Sequence, residues 1–240
     1  MRLLIAMLVS TALLISGCAT RSISDSGYQS RYYGGPANSM YQGELSEFDV
    51  IGIEADTSVS EEQIANAFAD SSERKSLRRG DSIMLIQSGA MIPDADMIQN
   101  LEKTFSISAF SGVPQKSKDA SASYSRSLRL AAAKGGIGTI VVYWGVLESG
   151  IENLGTKTFS WVPIVGSVVP DEAQSMRIRL KVAVVDVRTG RWEVFTPKEL
   201  DEHSYSARIS REHSDQAQVA TLKKQAYALA AEGVIARFVK

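Results

Sequence analysis

The sequence predicts an α/β fold, a single domain with a mixed β-sheet of about five to seven strands and helices packed on it. Three observations carry this. Short β-branched runs alternate with stretches of helical apolar spacing between residues 48 and 149, in the order βαβαβαβ, which calls for parallel strands bridged by helices. The run "TIVVYWGVLES" (139–149) is apolar on both faces at its centre, as a strand covered on both sides must be. Beyond it, strand-like segments joined by turns lead to one long amphipathic helix.

In chain order, "FDVIGIEAD" (48–56) reads as a first strand. A helix follows from Ser60, an N-cap with Gln63 completing a capping box and Val59 facing Ile64 as a hydrophobic staple. Ile64, Ala67 and Phe68 share one face of it. Arg74, Lys75, Arg78 and Arg79 fall in its last turn before Gly80, cations at the negative end of the helix dipole and a glycine for the stop. The same cluster has the charge to bind a phosphate or an acidic lipid, but helix termination accounts for it more simply. "DSIMLIQSG" (81–89) is the second strand, "PDADMIQNLEKTF" a helix capped by Asp94 or Asp96, and "FSISAFSGVP" (105–114) a third strand stopped by Gly112 and Pro114. The next helix covers 119–134, with Tyr124, Leu128, Ala131 and Ala132 at helical spacing, and closes at Lys134-Gly135-Gly136.

After the central strand, "KTFSWVPIVG" (157–166), "MRIRLKVAVVDVRTGRWEVFT" (176–196) and "EHSYSARISRE" (202–212) read as strands. Ile178, Leu180, Val182 and Val184 alternate with Arg177, Arg179 and Lys181, one face buried and one wet. Arg188-Thr189-Gly190 supplies a turn, so 176–187 and 191–196 form a hairpin. A helix over 214–238 carries Val219, Leu222, Ala226, Leu229, Ala230 and Val234 three and four apart and packs that stripe on the sheet.

The amino-terminal stretch has the layout of a secretory signal: Met1-Arg2, an apolar run, then small residues at Ser16 and Gly17. It is short for a membrane span, which takes about 20 apolar residues. The alternative is an uncleaved anchor. Ile15-Ser16-Gly17-Cys18 resembles the bacterial lipobox, and Cys18 is the chain's one cysteine. That resemblance implies cleavage between Gly17 and Cys18, with Cys18 lipidated (palmitate among its acyl chains) as the mature amino terminus. Ala19 at the next position implies, by the sorting rule of such lipoproteins in enteric-like bacteria, an outer-membrane destination facing the periplasm.

The domain organisation expected is therefore a signal over 1–17, the lipidated cysteine and a flexible tether over 18–44, and a periplasmic α/β domain over 45–240. A Ser, Gly, Tyr and Gln-rich coil of roughly 25 residues spans about 25–30 Å on average. Its tyrosines at 28, 32, 33 and 41 either hang in solvent with it or dock on the domain. The domain of about 195 residues is long enough for one sizeable core.

Charge is balanced, 26 Lys and Arg against 27 Asp and Glu, which argues against nucleic acid as a partner. No metal is expected: His203 and His213, ten residues apart in two Glu-His-Ser tripeptides, do not have ligand spacing. Ser88 in "IQSGA" follows a strand as a nucleophile would, but the G-x-S-x-G elbow is missing, so a tight turn at Gly89 is the simpler reading. The glycines of "AKGGIGT" run from helix to strand, the reverse of a phosphate loop. No catalytic motif and no cofactor site emerge, which leans against an enzyme and leaves the question open.

"GDSIMLIQSGAMIPDADMIQNLEKTFSISAFSGVP", "TIVVYWGVLES", "RIRLKVAVVDVRTGRW" and the closing helix together resemble the rhombotarget lipoproteins over most of 45–238. More broadly the layout is similar to the α/β domains of CsgG and of the TolB amino-terminal region, with Asp186, Thr189 and Gly190 in their D-x-x-T-G turn. The chain ends "AAEGVIARFVK" without the rhombotarget sorting tail, so rhomboid-type processing is not implied. The function expected is a lipid-anchored outer-membrane protein that works by protein contact with an envelope partner, in assembly or maintenance. "FSWVPIVGSVVP" (159–170), with Trp161, Pro163 and Pro170, is either a contact arm or a core hairpin. The rival functions are an envelope hydrolase of peptidase type, with a site assembled from distant residues, and a binder of a small envelope ligand.

Overall fold

The computed structural model describes residues 19–25, 41–52, 59–70, 76–114, 121–153, 172–198, 200–206 and 211–240. The strands are β1 (Ala19–Ser22), β2 (Ser82–Gln87), β3 (Ser106–Phe110), β4 (Thr139–Asn153), β5 (Glu172–Asp186), β6 (Trp192–Phe195) and β7 (Leu200–Ser206). A 3-10 turn, Ile23–Asp25, follows β1. The α-helices are α1 (Glu47–Ile51), α2 (Glu61–Asp70), α3 (Ala95–Glu102), α4 (Ser121–Lys134) and α5 (Arg211–Phe238). The sheet runs β3-β2-β4-β5-β6, with β1 beside β4 and β7 beside β5. β2 is parallel to both β3 and β4, whereas β5 is antiparallel to β6 and β7, so the sheet is mixed as the sequence predicts.

Contacts divide the chain into two units. One comprises Met1–Arg21, Leu147–Ile178 and Leu200–Leu222. Its β5–β7 ladder runs from Glu172↔Ser206 to Ile178↔Leu200, and the Arg177 guanidinium donates from Nε to the Glu148 carboxylate at 2.8 Å. The other comprises Ser22–Val146, Arg179–Glu199 and Lys223–Lys240.

In this second unit the alternation along β2 sorts the core into two layers. Met84 and Ile86 join Ile140, Val142, Val185, Leu128 and Ala132 on the face covered by α4 and α1. Ile83, Leu85 and Gln87 point to the opposite face, and Met97, Leu101, Tyr227, Ala230 and Val234 of α3 and α5 are buried with them. The β5–β6 hairpin has its predicted turn: Asp186 Oδ1 accepts from the Thr189 amide at 2.8 Å and from its hydroxyl at 3.0 Å. Gly190 follows at φ +76°, in the left-handed region that glycine enters freely. Arg129 of α4 holds the turn from outside, donating to the carbonyls of Val187 and Arg188 at 2.8 and 2.9 Å.

Several expectations are corrected. The first strand, placed at 48–56, is instead helical over Glu47–Ile51; residues 53–56 lie outside the described set. Ser46 accepts from the Phe48 amide at 3.2 Å while Asp49 accepts from the Ser46 amide at 2.9 Å, and Gly52 stops the turn at φ +76°. This capping box outweighs β-branched composition in so short a run. The Ser60–Gln63 box is present, with bonds of 2.9 and 3.2 Å, and the apolar face of its helix is exposed, Ile64 at 52% and Phe68 at 81%. Nor does that helix continue to Gly80. Leu77 is buried in a parallel bridge with Val239, and Gly80 closes a turn in which Asp81 accepts from the Arg78 amide at 2.8 Å. The basic cluster is thus not a helix terminus at Arg78 and Arg79. The strand expected over 202–212 ends at Ser206, and Arg211 already belongs to α5.

Candidate functional site

Open α/β sheets present their functional edge at the carboxyl ends of the parallel strands, where strands stop and backbone groups need partners. In this protein that edge is occupied by the chain's own amino-terminal segment. The β2–β4 register pairs Gln87 with Tyr143, so the two side chains stand on one face. The Tyr143 hydroxyl donates to Gln87 Oε1 at 2.6 Å, and the Asp94 amide donates to the same oxygen at 2.7 Å. With its acceptor saturated, the Gln87 amide turns its Nε2 outward and donates to Ser24 Oγ at 3.0 Å. Ser24 Oγ in turn donates to the Ser88 carbonyl at 2.5 Å.

Helix α5 closes the other side. Lys223 donates to the Ile23 carbonyl at 2.9 Å and to Asp94 Oδ2 at 3.0 Å, and the Tyr227 hydroxyl donates to that same carboxylate oxygen. The Tyr143 and Tyr227 rings meet edge to face, centroids 5.7 Å apart. Burial, reinforced by nearby negative groups, pushes both hydroxyls well above the usual tyrosine range, so both remain neutral donors.

Ile23 fills a gap that glycine creates. It is 1% exposed, and a Cβ on Gly145 of β4 would fall 2.7 and 2.9 Å from Ile23 Cδ1 and Cγ2 and 2.6 Å from Leu180 Cδ2. Any side chain at 145 would force the isoleucine or the leucine to shift. The chain returns to this edge at Tyr41–Leu45. The Leu45 amide donates to Ser88 Oγ at 2.8 Å, and Trp144 Nε1 donates to the Leu45 carbonyl at 2.8 Å. Gly89, at φ +77°, leaves the space in which Tyr41 lies, since a Cβ there would be 2.8 Å from Tyr41 Cε2. Burial and the adjacent Glu44 raise the Tyr41 hydroxyl pKa, and Glu44 also accepts from Ser22 Oγ.

The arrangement is a clamp for a peptide segment. Ser88, considered as a nucleophile, is 1% exposed, and its hydroxyl accepts the Leu45 amide. Gly89 forms the tight turn after β2, with its amide donating to Gly112 at 2.9 Å. Asp186, Thr189 and Gly190 are together in the β5–β6 turn described above. Gly17, Cys18, Trp161, Pro163 and Pro170 lie outside the described residues, as do Tyr28, Tyr32, Tyr33 and the 157–166 segment. His203 lies in β7 and His213 in α5, with side chains outside the described set. Among the described residues, no group of three or more His, Cys, Asp or Glu side chains is placed to hold a metal ion, and no helix is long and apolar enough to cross a membrane.

The clamp itself is absent from the sequence reading. Three signals pointed to it: a glycine inside an otherwise β-branched central strand, a glutamine at the end of a fully apolar one, and Lys223 sitting between Val219 and Tyr227 on the apolar stripe of α5.

Comparison with known families decides what kind of protein carries this clamp. Residues 46–237 match the family model described as YafT bacterial lipoprotein. The chain belongs to the YafT family of bacterial lipoproteins. It is accordingly an envelope protein anchored to a membrane through lipid. The YafT match begins just after Leu45 and includes Gln87, Ser88, Gly145, Lys223 and Tyr227, while the segment they hold, Ile23–Ser24, precedes it. Among curated proteins, none matches the chain.

Proposed function

We propose that this YafT-family chain is an outer-membrane lipoprotein, facing the periplasm, that acts by protein–protein contact in envelope assembly or maintenance. In this reading residues 1–17 are removed, Cys18 is acylated, palmitate included, residues 18–44 link anchor to domain, and 45–240 form the working domain. The observation that carries it is the filled carboxyl edge. Where an α/β sheet would receive a small ligand or substrate, Ile23 and Ser24 are buried and bonded to Gln87, Ser88 and Lys223. A domain whose ligand edge is spent on holding its own anchor segment is suited to presenting surfaces to other proteins.

The proposal includes the likeness to rhombotarget lipoproteins and to the CsgG and TolB α/β domains at the level of layout. It is supported by the parallel β3-β2-β4 order, the Asp186–Gly190 turn and the closing helix. Trp161, Pro163 and Pro170 remain the proposed contact residues.

The test is in-cell crosslinking of tagged protein, followed by membrane purification and mass spectrometry, beside a Cys18→Ser control. A specific envelope protein captured by wild type and depleted in the control supports the proposal. An abundant, membrane-bound wild type that captures nothing specific refutes the contact role and redirects the search to hydrolase and ligand screens.

A further inference from the structure

We propose that the carboxyl edge of the parallel strands is a bilayer-facing surface, with Met91 and Ile92 seated in the head-group and acyl boundary of the membrane that holds the lipid anchor. The inference rests on acylation of Cys18 and specifies how the anchored domain is oriented.

The first support is chain length. Cys18 precedes the buried Ile23 by five residues, so however the intervening chain runs, the acylated residue is within about 18 Å of the Gly145 gap. A free tether of the kind the composition suggests would let the domain drift about 25–30 Å from the membrane in any orientation. Seating Ile23 and Ser24 in the clamp removes that freedom and assigns the nearby edge to the lipid side.

The second support is what the same edge displays. The loop after β2 carries Met91 and Ile92, 55% and 71% exposed, three and four residues beyond Ser88, whose carbonyl holds Ser24. The loop is fixed at its base: Gly89 donates to Gly112 at 2.9 Å, Gly112 donates back to Ala90 at 2.8 Å, and the Asp94 amide is tied to Gln87 at 2.7 Å. Two adjacent large apolar side chains held out in water on a rigid loop are unfavourable, and the cost is relieved when something apolar covers them. The acyl chains brought there by Cys18 do. The loop from Ser88 to Pro93 carries no cation in its sequence, and Lys223 is engaged with Asp94 and Ile23, so the contact made by Met91 and Ile92 is apolar and insensitive to salt.

The test uses the lipidated full chain in vesicles of phosphatidylethanolamine and phosphatidylcholine. Cys18 is the only cysteine and is consumed by acylation, so Ile92→Cys offers a single thiol for an environment-sensitive dye. Met91→Cys repeats the measurement on the same loop, and Arg79→Cys, exposed ahead of the amino end of β2, is the reference. The expected result is that aqueous iodide quenching at 91 and 92 falls about threefold or more on reconstitution, equally at low and high salt, while 79 is unchanged. Vesicle-bound protein whose dye at 91 and 92 stays as quenchable as at 79 overturns the orientation and leaves the anchor intact. Protein that fails to float with the vesicles shows, before any dye is read, that the anchor reading has failed, and the orientation falls with it.

Discussion

Gly145 and Ile23 should be energetically coupled, and the coupling tests whether the anchor segment is seated as described. A methyl added at Gly145 meets three carbons between 2.6 and 2.9 Å, two from Ile23 and one from Leu180. Overpacking of this kind costs about 1–3 kcal/mol, so Gly145→Ala should destabilise by about 2 kcal/mol. Ile23→Ala removes a fully buried side chain and should cost about 3 kcal/mol. In the double variant the clash with Ile23 is gone and the new methyl partly fills the space left behind. Only the Leu180 contact remains, so the double variant should cost about 1 kcal/mol less than the sum of the singles. The assay is urea unfolding of the four chains in a Cys18→Ser background, compared at matched m-values. Additivity within about 0.3 kcal/mol would mean that the two residues do not touch, and the clamp would have to be abandoned.

Lys223→Met should loosen the same segment from the other side. Loss of its bonds to Ile23 and Asp94 should cost about 1–3 kcal/mol and speed tryptic cleavage after Arg21, read by mass spectrometry of the released amino-terminal peptide. Tyr143 and Tyr227 have raised folded pKa values, so their contribution is complete below the unfolded tyrosine pKa of about 10 and is lost as pH rises above it. Stability should be level to about pH 9, begin to fall around pH 10 and approach a slope of about 2.7 kcal/mol per pH unit only well above it, with Tyr227→Phe halving that limiting slope in pH-jump unfolding. Gly190→Ala should cost about 1–2 kcal/mol, because a side chain at φ +76° is strained and its Cβ would sit 2.6 Å from Arg129 Nη1; calorimetry of the variant checks it.

What the sequence made legible was what long, uniform patterns encode. The β2, β4 and β5 strands announced themselves by continuous or alternating apolar runs, the Asp186–Gly190 turn by its residue types, and α5 by its stripe. The first element was misread because a five-residue segment cannot express a period, and the deciding information sat in the flanking Ser46, Asp49 and Gly52. Ile64 and Phe68 have a core-facing pattern on a helix whose face is exposed, since periodicity says that a face is apolar but not what covers it. The clamp was harder still. Ile23 and Ser24 stand in a polar, low-hydropathy stretch where one isoleucine carries no period, and their partners lie 63 or more residues away in sequence.

The division of the clamp between matched and unmatched sequence has a physical reading. Gln87, Gly145 and Lys223 belong to the sheet and helix of the YafT-matched region, and the seat they make needs from its occupant a branched apolar side chain and one small hydroxyl. That is a modest demand, satisfied by two consecutive residues, Ile23 and Ser24. Because the occupant is on the same chain, its local concentration at the seat is high, and a few hydrogen bonds plus one buried isoleucine suffice to keep it there. The result is mechanical as well as energetic. With Cys18 acylated as proposed, a pull on the lipid would reach the central strand through β1 and Ile23, five residues on, rather than through a slack coil, and drawing the domain away from the membrane would load both the β1–β4 pairing and the seat of Ile23 in the Gly145 gap.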